Sequence, residues 1–503
     1  MSVAQVHTIQ PDVLRGTVVT IEADISRGLH SFSIVGLAGK AIDESKDRVG
    51  SAIKHTGYPS PKTKNQKVVI SLAPADIKKE GPLFDVPVAI AYLLAAGEIS
   101  VDDTKRVLVG ELSLDGTLRP IKGVLSVVEA ATAAGFSEVV VPSENAEEAA
   151  LIDSIVVYGA KTLREVIEHI SPNESTNNLS PQPVTTVTEG WYESAIKLED
   201  IKGQETAKRG LIIAAAGRHN VMLVGPPGTG KTMLARALRS LLPPLSREEA
   251  LAVTSIHSLT GGDVVISTRP PFRSPHHTAS HTSLVGGGAH PKPGEITLAH
   301  HGVLFMDEFP EFERRSLDAL RQPLEDRVVT ISRVQGTAEF PADFLLVAAL
   351  NPYRGVEDGT DNLARAMQET YKNKISGPIL DRIDLWLEVP HVSYETLTEL
   401  PSKSDETGPA REQILSARKT QTDRFSRNAR TNANMSAREI DEYITLSDDV
   451  KDLLKTSSGR LNLSPRSYHR LLKVSRTIAD LDNSDVITVA HVLEALQYRP
   501  SVS

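Results

Sequence analysis

The stretch GPPGTGKT at residues 225–232 carries the strongest chemical signal in the sequence. It keeps the spacing of a P-loop, between an apolar run, VMLV, that reads as a strand and a run, MLARAL, that reads as a helix. In such a turn the backbone N–H groups at a helix N-terminus surround a phosphate, the lysine reaches the β- and γ-phosphates, and the threonine hydroxyl binds magnesium. We therefore predict ATP and Mg²⁺ as cofactors, rather than a chance glycine-rich turn. The predicted nucleotide-binding residues are Gly225, Pro226, Pro227, Gly228, Thr229, Gly230, Lys231 and Thr232.

Two further apolar runs end in residues that suit phosphate chemistry. The run GVLFMDEF ends in Asp307 and Glu308, which suit magnesium binding and polarisation of an attacking water, respectively. Alone, this carboxylate pair is typical of a solvated strand end, but the upstream P-loop favours the catalytic interpretation. In the run DFLLVAALNP, Asn351 follows the apolar residues, and its amide is suited to holding that water or sensing the γ-phosphate. The predicted metal ligands are thus Thr232 and Asp307.

Positioning these side chains requires an α/β domain, and the chain is long enough for more than one. Its 503 residues exceed the roughly 250–300 at which a single core stops growing. Alternating β-rich and helix-like runs predict an α/β domain at 1–170, followed by a Ser-, Asn- and Pro-rich linker at 171–192 and a second α/β domain at 193–390. A polar connection is predicted at 391–432, and apolar residues at helical spacing predict a small helical domain at 433–503.

The composition, 40% hydrophobic and 24% charged, is that of an ordinary soluble protein. No apolar run approaches the ~20 residues that span a bilayer, and the N-terminus lacks a secretory signal. The absence of cysteine excludes disulfides and thiolate metal sites. We expect a cytoplasmic enzyme without a membrane partner. The net charge of -9 argues against a generally basic nucleic-acid coat, but a ring can be acidic outside and basic in its pore.

Together these motifs resemble those of AAA+ ATPases. The stretches RPPFRSPHHTASHTSLVGGG, PKPGEITLAHHGVLFMDEFPEF and SGPILDRIDLWLEVP narrow the resemblance to magnesium-chelatase-like AAA+ proteins of the YifB/ComM type, over almost the whole chain. The resemblance implies a P-loop AAA+ core with a C-terminal helical lid. It also implies that Arg382 is an arginine finger completing a neighbouring subunit's site, and that Arg466 is the second sensor arginine on the lid. A finger supplied from a neighbour requires a ring, and we expect a homo-hexamer.

The first half resembles the Lon-type protease fold, a ribosomal S5 domain 2-like α/β domain, in ISLAPADIKKEGPLFDVPVAIAYLLAAGEI and the stretch from VLVGELSLDG onwards. That fold places a serine after a Gly-Pro turn and a lysine on a later helix, where this chain has Leu83 and Leu125. Leucine offers neither a nucleophile nor a base, so we expect no peptidase activity. Lys122 is interpreted as an exposed lysine on a turn rather than a surviving base.

The resemblance also implies a cysteine-rich loop, suited to zinc, after the sensor asparagine. Here that region contains GVEDGTDN and no cysteine, so we expect no zinc and favour a solvated acidic loop over a calcium site. A cluster of histidines lacks partners at metal-ligand spacing, which favours hydrogen-bonding or substrate-facing roles over transition-metal binding. Its members are His276, His277, His281, His290, His300 and His301.

The ComM-type resemblance implies a hexameric motor that moves branch points of DNA during recombination or natural transformation, with branched or single-stranded DNA as partner. The segments TGGDVVISTRPPFRSPHH and VVTISRVQGTAEFPADF would line its channel, with Arg269, Arg273 and Arg333 as candidates for phosphate contacts. The alternatives are an ATPase for metal chelation or protein remodelling, and a nucleotide-dependent scaffold. The Lon-like half weighs against chelation, because chelatase motors resemble only the later part of the chain.

Overall fold

A computed structural model describes most of the chain, in two compact units: Met1–Val187 with Thr254–Ser267, and Thr188–Val253 with Thr268–Ser503. Within the described residues, every helix falls short of the length and apolar character needed to cross a membrane. The described residues are 4–12, 15–37, 39–101, 105–171, 178–187, 190–260, 267–288, 292–333, 336–351, 375–398, 405–425, 430–461 and 464–500.

The first unit is built on a seven-stranded mixed sheet, as far as its described residues show. The long strands at its centre pair antiparallel, and the outer pairs are parallel. Alternating burial along Gln66–Ala73 shows that one face of this strand lies in the core. Across the sheet the strands are Ser31–Val35, Gln66–Ala73, Arg15–Arg27, Ala4–Asp12, Arg106–Leu108, Glu138–Pro142 and Val156–Ala160. A two-stranded hairpin joins Glu111–Leu112 to Leu118–Arg119. The helices are Lys40–His55, Asp85–Ala95, Val124–Ala133, Ala146–Ala149 and Leu163–Ile170.

Part of the stretch predicted as a linker lies against this unit. The Gln182 N–H donates to the carbonyl of Val157 at 2.8 Å, and the Thr185 N–H donates to that of Ala150 at 2.9 Å. Pro181 also forms a bridge with Tyr158 on the sheet's last strand. Residues 178–187 are therefore fixed to the first unit by backbone hydrogen bonds, although their composition is that of a linker.

The second unit contains a parallel sheet, five-stranded within its described part. Its strands read as continuous apolar runs, as expected for a parallel sheet covered on both faces. In order across the sheet they are Phe272–Arg273, Val303–Met306, Leu345–Leu350, Val221–Val224 and Leu385–Glu388. The further strand pairs are Gly286–Gly287 with Lys292–Pro293, and Val328–Arg333 with Gly336–Pro341. The helices are Glu205–Gly217, Lys231–Leu241, Arg247–Ser258, His281–Val285, Glu295–Leu298, Arg314–Asp318, Arg321–Asp326, Gly377–Leu380 and Tyr394–Thr398. The last turn of helix Arg247–Ser258 belongs to the first unit.

The C-terminal region is helical within its described residues. Its helices are Ala437–Tyr443, Asp448–Leu461, Pro465–Leu481 and Val489–Gln497. The polar stretch predicted as a connection contains a further helix of 19 residues, Thr407–Phe425. Its buried side consists of a few small or polar residues beside Ile414 and Phe425, so an apolar stripe is hard to recognise in the sequence. The Gln421 side chain, for example, is buried and donates to the carbonyl of Ala216 at 3.2 Å.

Candidate nucleotide site

The predicted phosphate, metal and water-positioning residues come together at one edge of the parallel sheet. The strands Val221–Val224, Val303–Met306 and Leu345–Leu350 run in the same direction, so the residues that follow them emerge at the same edge. The Gly225 N–H donates to the carbonyl of Leu350 at 3.2 Å, which places Asn351 beside the start of the loop. The carboxyl edge of a parallel sheet is the usual position of a ligand site in α/β folds.

The loop from Gly225 to Lys231 has the conformation that its glycines allow. Gly228 and Gly230 have φ values of 83° and 93°, which residues other than glycine rarely adopt. Lys231 begins the helix Lys231–Leu241, and its Nζ donates to the carbonyls of Gly225 and Pro226, at 2.7 Å each. Burial lowers the pKa of Lys231, and the nearby charge of Asp307 opposes this shift. The loop therefore holds a cation at a helix N-terminus, where unpaired backbone N–H groups favour a phosphate.

Thr232 and Asp307 offer hard oxygen ligands at adjacent positions. The Thr232 hydroxyl donates to Asp307 Oδ2 at 3.0 Å. Mg²⁺ prefers such oxygens and commonly takes one or two from the protein, with the rest from water and substrate phosphates. The residues present therefore fit Mg²⁺, which Thr232 and Asp307 would hold next to the phosphates. In the described residues no larger group of His, Asp or Glu side chains is arranged to bind a metal ion.

Glu308 has an unusual backbone conformation and a partner for its side chain. Its φ of 50° and ψ of 46° lie in the left-handed region, which costs a non-glycine residue on the order of 1 kcal/mol. Its N–H donates to Asp307 Oδ1 at 2.9 Å, and its Oε2 lies 3.2 Å from Nδ1 of His277. Strained residues of this kind cluster at functional sites. The carboxylate is 47% exposed, so water can reach it.

Sequence reasoning missed a turn that packs against the segment after strand Leu385–Glu388. That segment borders the P-loop, because a Cβ atom on Gly225 would lie 2.1 Å from the carbonyl oxygen of Val389. Gly203 and Gln204 both have left-handed backbones, and Gln204 Nε2 donates to the carbonyl of Pro390 at 2.6 Å. A Cβ atom on Gly203 would lie 3.5 Å from Cγ1 of Val392. This turn and the segment after strand Leu385–Glu388 are candidates for contact with the base of a nucleotide. The signal was the short IKGQ turn immediately before a helix and about 20 residues upstream of the P-loop.

Arg382 lies at the opposite edge of the sheet from the P-loop. It precedes the strand Leu385–Glu388, and its carbonyl accepts a hydrogen bond from Asn220 Nδ2 at 3.0 Å. Asn220 stands before the first residue of strand Val221–Val224, whereas Gly225 stands after the last. At the rise of a β-strand, these two positions are about 16 Å apart.

Arg466, at the start of helix Pro465–Leu481, lies with Arg382 and not with Lys231. Both guanidinium groups bind Glu325: Arg466 donates to Oε1 at 3.1 Å, and Arg382 donates to Oε2. The Arg382 side chain is 8% exposed, whereas the Arg466 side chain is 43% exposed. The structure therefore forms two groups of predicted residues, one at each edge of the sheet.

The arginine pair borders a cavity of about 520 Å³ with an excess of positive charge. Among its described lining residues, six cationic side chains face three carboxylates. Burial lowers the pKa of Arg470 and of Lys473, so an added anion would stabilise their charged forms. The cations are Arg218, Arg327, Arg382, Arg466, Arg470 and Lys473, and the carboxylates are Glu325, Asp343 and Asp384. This cleft is suited to an anionic ligand such as a phosphate chain.

Comparison with known proteins identifies the family. Models of magnesium chelatase subunit ChlI match residues 197–397 and 21–145, and its C-terminal model matches residues 404–499. The YifB protein of Salmonella typhimurium is 42% identical over 504 residues, covering 99% of this chain and 97% of that protein. The competence protein ComM of Haemophilus influenzae is 41% identical over 508 residues, covering 100% and 98%, respectively. The chain belongs to the YifB/ComM type of magnesium-chelatase-like proteins.

This family is one of AAA+ ATPases, whose members use a nucleotide and magnesium and commonly form oligomers. The α/β unit with its helical C-terminal region is consistent with that fold. The 67 kDa subunit of magnesium chelatase from Heliobacterium mobile is 28% identical over 196 residues, or 32% of this chain and 29% of that protein. The similarity to YifB and ComM is therefore much more extensive than this similarity to a chelatase subunit.

At the positions where the Lon-type fold has its serine and lysine, the first unit has buried apolar side chains. Leu83 and Leu125 are both buried, at 6% and 0% exposure. The turn continues into helix Asp85–Ala95, where Asp85 accepts two hydrogen bonds from Arg48, at 2.8 and 3.0 Å. Lys122 is exposed on the turn before helix Val124–Ala133. The KEGPLFDVP turn thus begins a packed helix, and the absence of peptidase activity stays a prediction.

Two of the three arginines expected to contact DNA have partners within the second unit. Arg273 binds Glu295 through two hydrogen bonds, at 2.6 and 2.8 Å, so its charge is paired inside the unit. Arg269 lies 5.9 Å from the ring of Tyr192, in a cation–π arrangement. Arg333 ends the first strand of an antiparallel hairpin, Val328–Arg333 with Gly336–Pro341. Its side chain, His290 and the GVEDGTDN segment lie outside the described residues.

Proposed function

We propose that this chain is an ATP-hydrolysing AAA+ motor that acts as a closed ring, most simply a homo-hexamer, on branched DNA. One observation supports the ring most directly: the P-loop group and the arginine pair lie at opposite edges of the same sheet. Arg382 is tied to Asn220 at the amino edge, whereas Lys231 and Asp307 lie at the carboxyl edge. A side chain at the amino edge is too far away to serve the phosphates held by its own chain.

A head-to-tail contact between copies resolves this separation. If the arginine edge of one copy faces the P-loop edge of the next, each nucleotide receives Lys231 from one chain and Arg382 from another. Such a contact uses two different surfaces, so it closes only as a ring or continues as a filament. Phosphoryl transfer spreads charge over the γ-phosphate oxygens, and a cation supplied at this point ties hydrolysis to assembly.

The surroundings of Arg382 and Arg466 support this role. Glu325 holds both guanidinium groups and is itself 54% exposed, so the pair is preorganised at an accessible surface. Arg470 and Lys473 add positive charge to the same cleft. A phosphate chain offers several anionic oxygens where Glu325 offers two, and bidentate arginine–phosphate contacts are strong.

The roles of the nucleotide-site residues follow from their positions. Lys231 and the loop N–H groups bind the β- and γ-phosphates, while Thr232 and Asp307 would hold magnesium, which would supply positive charge beside those phosphates. Glu308 accepts the proton of the attacking water, and Asn351 holds that water beside the γ-phosphate. Arg382 and Arg466, from the next copy, stabilise the charge of the transition state.

Mixing active chains with an Arg382→Ala variant tests the ring. Because each Arg382→Ala chain would disable a neighbour's site while keeping its own P-loop, activity should fall below the active chains' share of the mixture. The matched control is Lys451→Ala, which removes an exposed cation paired with Asp448 on helix Asp448–Leu461. Activity that follows the active fraction in proportion, from a strictly monomeric ATPase in light scattering, would refute the ring.

The proposal that DNA is the substrate rests on the full-length similarity to ComM, which is named a competence protein. It rests also on the ComM-type resemblance of the sequence motifs. With Arg273 paired to Glu295, the hairpin that carries Arg333 becomes the first candidate for phosphate contacts. The test is conversion of a synthetic four-way junction with ATP and with a non-hydrolysable analogue. If active rings process no junction, and DNA leaves their ATPase rate unchanged, metal chelation or protein remodelling replaces DNA as the proposed task.

A further inference from the structure

His277 occupies a position from which it contacts the carboxylate of Glu308. The strand Phe272–Arg273 runs parallel to Val303–Met306, so the segment after Arg273 emerges at the same edge as Asp307 and Glu308. His277 Nδ1 lies 3.2 Å from Glu308 Oε2, and its side chain is 34% exposed. Of the five clustered histidines that the structure describes, His277 is the one that contacts the predicted catalytic base.

The segment that carries His277 is held from both sides. Before it, Arg273 is anchored by its two hydrogen bonds to Glu295. Beside it, the ring of His276 lies 4.2 Å from that of His277, and His276 Nδ1 lies 2.8 Å from the Thr278 hydroxyl. After it, the Ala279 N–H donates to the carbonyl of His276 at 2.8 Å, which closes the turn. A turn restrained in this way holds the imidazole at a defined position.

The backbone of Glu308 is equally restrained. Its N–H is bound to Asp307 Oδ1, and its carbonyl accepts the Glu311 N–H at 2.7 Å. Rotation about the side-chain bonds is therefore the main freedom left to the carboxylate. A hydrogen bond to one of its oxygens would remove most of that freedom, and a general base must be held within hydrogen-bond reach of the proton it takes.

We propose that His277 is a positioning residue for ATP hydrolysis, which donates a hydrogen bond from Nδ1 to Glu308 Oε2 and leaves Oε1 directed at the attacking water. This inference rests on the hydrolysis part of the proposed function and is independent of the DNA part. His277 contacts neither phosphate nor metal in this role. It acts through Glu308, so its removal should slow the chemical step and leave nucleotide binding intact.

The choice of Nδ1 as donor allows a sharp test by substitution. His277→Ala removes the donor, and we expect kcat for ATP hydrolysis to fall about tenfold, the usual scale for a hydrogen bond to a charged group, with KM and nucleotide affinity unchanged. His277→Asn places an amide N–H close to the position of Nδ1 and should restore most of kcat. His277→Gln places its amide one bond further out and should restore less. His281→Ala, on the helix that follows, measures the cost of losing another histidine from this segment and should have a smaller effect.

A double-substitution cycle shows whether His277 acts through Glu308. In a chain that already carries Glu308→Gln, adding His277→Ala should cost nothing further, because the carboxylate to be oriented is gone. Unchanged nucleotide affinity in His277→Ala shows that the chain is folded. Three results would each overturn the inference. The first is an equal loss of kcat on adding His277→Ala to the wild-type chain and to the Glu308→Gln chain. The others are an unchanged or raised kcat in His277→Ala, and an equal loss of kcat in the Ala and Asn variants. A wild-type chain that hydrolyses no ATP would instead refute the proposed function.

Discussion

At the scale of single residues, substitutions of Lys231 and Glu308 are expected to impair ATP hydrolysis in different ways. Lys231→Ala removes the cation that binds the phosphates, so nucleotide affinity should fall sharply. Glu308→Gln keeps the size of the side chain but cannot accept a proton, so binding should persist while turnover falls about 10²–10⁴-fold. Titration with a fluorescent nucleotide and phosphate-release kinetics separate the two effects. Turnover by Glu308→Gln at the parent rate would show that Glu308 is not the base.

Also at this scale, Leu83 and Leu125 predict that the first unit cleaves no peptide bonds. Both side chains are buried, and neither supplies the hydroxyl nor the amine that the Lon-type reaction needs. We expect purified protein to leave casein and fluorogenic peptides intact, with or without ATP. Cleavage that survives purification and disappears in a Leu83→Ala variant would contradict this prediction.

At the scale of elements, the turn before strand Val303–Met306 carries two adjacent histidines, of which His300 is buried and His301 is 14% exposed. Their rings lie 3.9 Å apart, and His300 Nδ1 accepts the Asp343 N–H at 3.0 Å, which requires an unprotonated nitrogen. Burial lowers the pKa of His300 to about 3 and that of His301 to about 4, both from 6.5. His301 adds to the shift at His300 and Arg218 lowers both, whereas Asp343 opposes the shift at each.

This pair should make the second unit sensitive to acid. The unfolded chain takes up protons at both histidines below about pH 6.5, while the folded chain does so only near pH 3–4. Stability is therefore lost as the pH falls from about 6.5, on the order of 1–2 kcal/mol per histidine by pH 5. Urea unfolding at pH 7 and pH 5 measures the loss. His300→Asn keeps an acceptor for the Asp343 N–H and should show a shallower loss; an unaltered pH dependence would exclude His300 as its source.

At the scale of the whole molecule, the shared contact with Glu325 predicts that Arg466 acts with Arg382 on a neighbour's nucleotide. In mixtures with active chains, Arg466→Ala should then reduce activity beyond its share, as Arg382→Ala does. Its own P-loop should still bind nucleotide with nearly normal affinity, because Arg466 lies away from Lys231. Loss of nucleotide binding in the isolated Arg466→Ala chain would instead place this arginine at its own subunit's site.

Assembly is a second prediction at this scale. A nucleotide held between the P-loop edge of one copy and the arginine edge of the next contributes contacts to both, so it should favour the ring by mass action. Light scattering should show a shift from smaller species to a closed oligomer when ATP and magnesium are added to the Glu308→Gln variant, which keeps its nucleotide. The same experiment with Lys231→Ala should show little shift. If the molecular mass of both variants is the same with and without nucleotide, the nucleotide does not bridge the interface.

The sequence by itself determined the parts whose chemistry is local. The P-loop and the Asp307–Glu308 pair are contiguous patterns, because a phosphate cradle and a strand end are each built by a few neighbouring residues. The α/β character of the two units and the helical C-terminal region followed from apolar runs and their spacing. A helix with a sparse apolar side, Thr407–Phe425, escaped this reasoning because its buried side includes polar groups such as Gln421.

Only the tertiary structure decided which distant residues meet. Nothing in the sequence separated His277 from its neighbouring histidines, or linked Arg382 and Arg466 to Glu325 across 57 and 141 positions of the chain. Likewise, only the structure showed that Arg273, a candidate for phosphate contacts, is paired with Glu295. Such contacts depend on strand order and direction, which set the edge of the sheet at which each side chain emerges, and short-range patterns do not encode that choice.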